Sequence, residues 1–183
     1  CIRDRHWTSR GLFDHNRTLW LGYVVETPGG AIYFAGDTGF GPHYGAIAAR
    51  FPALRLALLP IGAYLPRWFM QPVHMNPAEA AAAWRILGAA SGLAIHYGTF
   101  RLAEEGQDQP PADLARALSQ PDINADPSNE RAPGLVRIRG QSGGDPACFR
   151  AVPFGQGWQV PTSCGSQTPT SPLAATRLVS TDP

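Results

Sequence analysis

After residue 40 the chain alternates short, almost wholly apolar runs with segments that read as helices. This alternation restricts the fold more than any other feature. "LRLALLPIG" (54–62), "SGLAIHYGTF" (91–100) and "GLVRIRG" (134–140) are strand candidates; "PHYGAIAARF" (42–51) and "PPADLARALSQ" (110–120) are helix candidates. The best-signalled helix follows Asn76, which can cap it, with Pro77 at the first helical position and Glu79 three residues after the cap. Its run "AEAAAAWRIL" places Ala80, Ala83, Trp84 and Leu87 on one face, and Gly88 can end it. Upstream, "TLWLGYVVET" (18–27) and "AIYFAGDT" (31–38) flank the turn "PGG", which predicts a hairpin. Both arms are nearly continuously apolar, so both of their faces are expected to be covered. The expected class is α/β, with strands and helices in layers.

From residue 141 the texture changes to Gly, Pro, Ser and Thr with no periodic apolar pattern. Residues 1–140 are therefore read as the folded domain and 141–183 as an irregular or disordered tail. Within 183 residues there is enough chain for one domain with a real core. A formal net charge of +1 gives no reason to expect nucleic acid as a partner. The apolar runs fall far short of the roughly 20 residues of a membrane helix, and no signal peptide is visible. The three cysteines, Cys1, Cys148 and Cys164, are far apart and odd in number. They are read as neither a metal motif nor a disulfide framework; unpaired cysteines lean cytoplasmic, and the expected setting is cytoplasmic or membrane-associated. The sequence starts at Cys1, inside what reads as a structured segment, so it is expected to be the trailing part of a longer protein.

Three ligand-type residues stand near strand ends: His6 in "HWTSRG", Asp37 in "IYFAGDTGFG" and His96 in "LAIHYGTF". Imidazole and carboxylate are zinc-type donors at about 2.0–2.2 Å. The glycines beside Asp37 and His96 would allow close approach. On spacing alone a second reading stays open: a strand histidine is commonly a hydrogen-bonded core residue, and an Asp beside glycine a turn former. His15 and His43 read as loop or surface residues.

Four blocks carry a resemblance over roughly residues 3–120: "HWTSRGLFDHNRTLWLGYVV", "IYFAGDTGFG", "LALLPIGAYLPRWFMQPVHMNPAEA" and "AIHYGTFRLAEE". Together they resemble the metallo-β-lactamase superfamily, and within it the branch of N-acyl-phosphatidylethanolamine-hydrolysing phospholipase D and bacterial RomA-like proteins. The resemblance implies the second half of an αββα sandwich, a mixed sheet with flanking helices and a two-metal site at the sheet edge, usually zinc. It implies His6 and His96 as metal ligands, one to each ion, and Asp37 as the carboxylate bridging both. The family's HxHxDH motif, which supplies the other ligands, does not occur here. The chain by itself is therefore expected to be inactive and its full-length parent to be the hydrolase.

For that parent the resemblance implies water activated by the metals and attacking a phosphodiester of a phospholipid. Alternatives are a lactone or other small ester, or a non-catalytic remnant that keeps only the scaffold. His74, two positions before the Asn76 cap, lies near a helix N-terminus suited to phosphate. With Asp37 it is the candidate catalytic residue, although simple packing at the helix start is equally compatible with its position. In "AYLPRWFM", Arg67 stands among Tyr64, Trp68, Phe69 and Met70, a composition suited to a lipid headgroup and its chains; an ordinary loop clamped by aromatic packing is the competing reading. The expected partners are a phospholipid or other small ester and a membrane surface.

Overall fold

The computed structural model describes residues 2–7, 19–119, 145–161 and 164. Six strands form one sheet in the order of the chain: β1 (Ile2–Trp7), β2 (Leu19–Thr27), β3 (Gly30–Phe34), β4 (Leu54–Pro60), β5 (Ser91–Ile95) and β6 (Phe149–Arg150). The first three are antiparallel neighbours and β3 to β6 run parallel, so the sheet is mixed. Antiparallel neighbours can be joined by a tight turn, and β2–β3 turn at Pro28–Gly29 with Tyr23 opposite Phe34. Parallel neighbours need a crossover, and here it is helical. Helix α1 (His43–Arg50) joins β3 to β4, α2 (Arg67–Met70) and α3 (Pro77–Leu87) join β4 to β5, and α4 (Gln109–Ser119) follows β5.

Helix α3 is built as its sequence predicts. The Asn76 side chain accepts from the Glu79 N–H and the Glu79 carboxylate accepts from the Asn76 N–H, each at 2.8 Å, and Gly88 ends the helix in the left-handed region. Ala80, Ala83, Trp84 and Leu87 are buried, and so are Ala81 and Ala82, because α3 lies between α1, α4 and the sheet. A run of alanines suits so enclosed a helix, since small side chains let its neighbours approach. The core behind it contains Tyr33, Ala57, Leu59 and Ile61, the residues of β3 and β4 that share the helix-facing side, with Ile61 just beyond β4.

Three expectations need correction or restriction. The hairpin is not covered on both faces: Leu21, Tyr23, Val25 and Phe34 are 40, 48, 54 and 41% exposed. These four share the side of the sheet opposite Tyr33, and alternation along a strand sends them away from the helices. Second, Cys148 and Cys164 are joined by a disulfide. A separation of 16 residues carries no sequence signal, but the chain after β6 turns back and brings their Cα atoms to 5.8 Å. Third, the candidate strand at 134–140 lies outside the described residues. Downstream of it, Phe149–Arg150 in the segment 141–183 extends the sheet through pairing with Gly92 and Leu93.

Candidate metal centre

Asp37, His74 and His96 come from three separate parts of the chain and meet beyond one end of the parallel strands. Asp37 follows β3, whose direction is carried past Phe34 by the Ala35 N–H donating to the Leu58 carbonyl at 3.1 Å. His96 follows Ile95, the last residue of β5. His74 stands in the loop between α2 and α3. Each residue offers one donor atom, and the three atoms lie within 4.8 Å of one another.

The loop that carries His74 is pinned from both sides. The Met75 N–H donates to the Thr38 carbonyl at 3.1 Å, which sets the residue after His74 against the residue after Asp37. A Cβ on Gly39 would come within 2.8 Å of the Pro72 carbonyl oxygen, so this approach requires glycine. On the other side, Arg67 donates to the His74 carbonyl at 3.0 Å and to both oxygens of Glu79 at 2.8 Å. Glu79 is itself part of the α3 capping box, so one guanidinium ties the loop to the helix start.

His96 is held in an unusual backbone state. Its φ is +60°, and Ala63, on the adjacent loop, has the same value. Non-glycine residues seldom occupy this region, and such residues cluster at functional sites. Gly62 fits beneath them: a Cβ there would lie 2.1 Å from the His96 carbonyl oxygen.

Within the cluster, His74 Nδ1 lies 2.7 Å from Asp37 Oδ1, and His96 Nε2 lies 3.7 Å from Asp37 Oδ2. The two imidazole rings stack with centroids 5.4 Å apart. The His74–Asp37 approach is short but poorly aligned: His74 Nδ1 is a buried nitrogen with no hydrogen-bond partner, as is His96 Nδ1. His74 Nδ1 and His96 Nε2, the nitrogens that face Asp37 without a well-aligned hydrogen bond to it, fit a shared cation that would accept their lone pairs. Three donors can hold a cation and leave a coordination position open, or supply part of a two-ion site.

Of the metal ligands expected from the sequence, Asp37 and His96 are therefore brought together. His6 lies on β1, the strand next to β2; its side chain falls outside the described part. His74, expected as a catalytic residue, stands in the cluster itself, placed there by the Thr38–Met75 bond. The residues expected at the substrate divide into two groups. Trp68 and Phe69 are 82 and 61% exposed, and Met70 is half-buried beside them. Tyr64 is buried, with its hydroxyl donating to Asp113 at 2.5 Å, and burial together with that bond pushes its phenol pKa well up. Arg67 is occupied by Glu79 and the His74 carbonyl. Sequence reading missed Gly62, Glu79 as the partner of Arg67, and the Thr38–Met75 clip, all of which depend on contacts between distant segments.

A family model described as "Beta-lactamase superfamily domain" matches residues 1–97, and the chain belongs to this metallo-β-lactamase superfamily. Its relatives place it in the branch of N-acyl-phosphatidylethanolamine-hydrolysing phospholipase D and RomA. N-acyl-phosphatidylethanolamine-hydrolyzing phospholipase D 1 of Caenorhabditis elegans is 38% identical over 119 residues, which are 64% of this chain and 33% of that protein. Outer membrane protein RomA of Klebsiella pneumoniae is 40% identical over 94 residues, 51% of this chain and 69% of RomA. A protein of Myxococcus xanthus named as a metal-dependent hydrolase is 42% identical over 89 residues, 48% of this chain and 29% of that protein. The chain thus spans a third or less of most of these relatives. No helix among the described residues is long and apolar enough to cross a membrane.

Proposed function

We propose that this chain contributes Asp37, His74, His96 and His6 to the metal centre of a metal-dependent hydrolase, and that the full-length protein cleaves a phosphodiester of N-acyl-phosphatidylethanolamine-like phospholipids. The observation that carries the reading is the convergence of Asp37, His74 and His96 within 4.8 Å, with His74 Nδ1 and His96 Nε2 each facing a different oxygen of Asp37. The phospholipase D relative supports the substrate class.

Asp37 turns a different oxygen toward each histidine. That suits a carboxylate shared by two cations about 3.5–4 Å apart, and the proposed ions are zinc. When bound, such a pair lowers the pKa of water toward about 7 and takes up negative charge developing on oxygen. His74 sits two residues before the cap of an 11-residue helix, so it can hold the phosphate or the leaving oxygen where partial positive charge is available. The Arg67–Glu79 pair keeps His74 in place. The exposed Trp68 and Phe69 meet the lipid, at a membrane surface. The family's HxHxDH donors have no counterpart in residues 1–183, so turnover is assigned to the full-length protein.

The test uses purified full-length protein: metal content by elemental analysis, and hydrolysis of N-acyl-phosphatidylethanolamine followed by release of phosphatidic acid. Stoichiometric zinc, turnover, and loss of both in Asp37→Asn are expected. Turnover of a lactone or carboxylic ester without any phosphodiester cleavage would move the substrate to the alternative class, and absence of metal would leave only the scaffold.

A further inference from the structure

Glu105, in the loop between β5 and α4, carries a buried carboxylate, with 7% of the residue exposed. Among the described residues no arginine or histidine forms an ion pair with it. Its partners are two consecutive main-chain donors: the Tyr64 N–H donates to Oε1 at 3.3 Å and the Leu65 N–H to Oε2 at 3.0 Å. In return the Glu104 N–H donates to the Leu65 carbonyl at 3.5 Å. A buried charge is costly unless its oxygens are satisfied, and here each oxygen has a donor. Successive N–H groups that converge on one anion mark a curled backbone, and Ala63, immediately upstream, has a φ of +60°.

The stretch that Glu105 fixes supports both histidines of the candidate metal centre. At its upstream end the Ile61 N–H donates to the Ile95 carbonyl at 3.1 Å, and Gly62 lies against the His96 carbonyl. At its downstream end Arg67 donates to the His74 carbonyl at 3.0 Å and to Glu79. Residues 61–67 are thus one span, with His96 leaning on its start and His74 on its end, and Glu105 holds the middle. The Tyr64 hydroxyl is tied separately, to Asp113, so the Glu105 carboxylate acts on the backbone and not on the ring.

From this connectivity we infer that Glu105 is a positioning residue for the metal centre: it sets the curl of residues 63–65, and through that span it places His96 and His74 relative to each other. The inference rests on the metal-dependent hydrolase reading and extends it to a carboxylate that neither binds the cation nor meets the substrate. The role requires a carboxylate, because a glutamine side chain brings one acceptor oxygen to two donors.

Zinc affinity of the full-length protein is measured by chelator competition, and the visible absorption of the cobalt(II)-substituted protein reports the geometry of the ligands. Glu105→Gln is expected to weaken zinc binding at least about tenfold, the lower end of what loss of an orienting partner costs, and to shift the cobalt bands. Glu105→Asp keeps the charge but draws both oxygens back by one carbon. It is expected to fall between the parent and Glu105→Gln, and it carries the test should Glu105→Gln not fold. Leu118→Ala, in the core at the far end of α4, is the comparison for a general loss of stability and is expected to keep the zinc affinity and cobalt bands of the parent. Folded Glu105 variants with the zinc affinity and cobalt bands of the parent overturn the proposal, as does a Leu118→Ala protein that changes as much as they do. A parent that binds no metal overturns this role and the hydrolase reading together. Weakened zinc binding in the Glu105 variants of a parent that cleaves no phosphodiester sustains the role and sinks only the proposed substrate.

Discussion

At the scale of single residues, the candidate site depends on one carboxylate and on backbone that only certain residues permit. Asp37→Asn keeps the shape of the side chain and removes its charge. Zinc affinity of the full-length protein, measured by chelator competition, is expected to fall by more than about tenfold, since a neutral amide is a poor ligand for the cation. Gly62→Ala makes a subtler test. It removes no donor atom, but its Cβ would meet the His96 carbonyl oxygen at 2.1 Å, where His96 already holds a φ of +60°. The histidine has to shift, and loss of ligand orientation typically costs about 10- to 100-fold in metal affinity. Unchanged zinc affinity in a folded Gly62→Ala protein would show that the His96 backbone does not set the site. The glycines flanking Asp37 are plain in the sequence as candidates for close approach. Gly62 is not, because its partner lies 34 positions away and only the parallel pairing of β4 and β5 brings them together.

At the scale of elements, the legible parts are those whose causes lie within a few residues. The α3 cap is written in Asn76, Pro77 and Glu79, and the β2–β3 turn in Pro28 and Gly29. The use of Glu79 by Arg67, 12 positions upstream, is not legible, so the sequence suggests a headgroup cation where the fold has a brace. Arg67→Met is expected to destabilise the protein by about 2 kcal/mol. That is less than the roughly 3–5 kcal/mol for breaking a fully buried pair, because the Arg67 side chain keeps 22% exposure. Zinc affinity should fall with it as His74 loosens, whereas a purely substrate-binding Arg67 would leave both unchanged and alter KM alone. Tyr64 braces the neighbouring loop against α4 through Asp113. Burial, then the Asp113 bond and the Asp113 and Glu105 charges, hold its proton more tightly in the folded state than in the unfolded one. The unfolded chain therefore loses this proton first, and stability falls as pH rises above the ordinary tyrosine value of 10.0. Tyr64→Phe should cost about 1 kcal/mol at neutral pH and flatten that alkaline decline, as denaturant titrations across pH 8–11 would show.

At the scale of the whole molecule, helices cover one face of the sheet, while among the described residues Leu21, Tyr23, Val25 and Phe34 on the other face are exposed along its antiparallel side. Leu21, Tyr23 and Val25 alternate along β2, and Phe34 sits opposite Tyr23. Continuous apolar sequence in the hairpin arms reads as burial on both faces, and the physical basis of that reading is sound: such side chains gain about 25 cal/mol per Å² when covered. The described part of the chain does not supply the cover. In an αββα sandwich this face packs on the second sheet, and the chain accounts for a third or less of its phospholipase D relative. The consequence can be measured. Tyr23→Ser, Val25→Thr and Phe34→Ser together leave the helix-facing core untouched. At solvent-exposed positions each would change stability by no more than about 0.5 kcal/mol. Beneath a second sheet, the loss of two aromatic rings and one methyl-for-hydroxyl exchange should cost the full-length protein several kcal/mol, with Phe34 alone approaching the roughly 3–5 kcal/mol of a large-to-small core substitution. A triple variant as stable as the parent would mean that this face meets water in the complete protein, and the sandwich would have to close elsewhere.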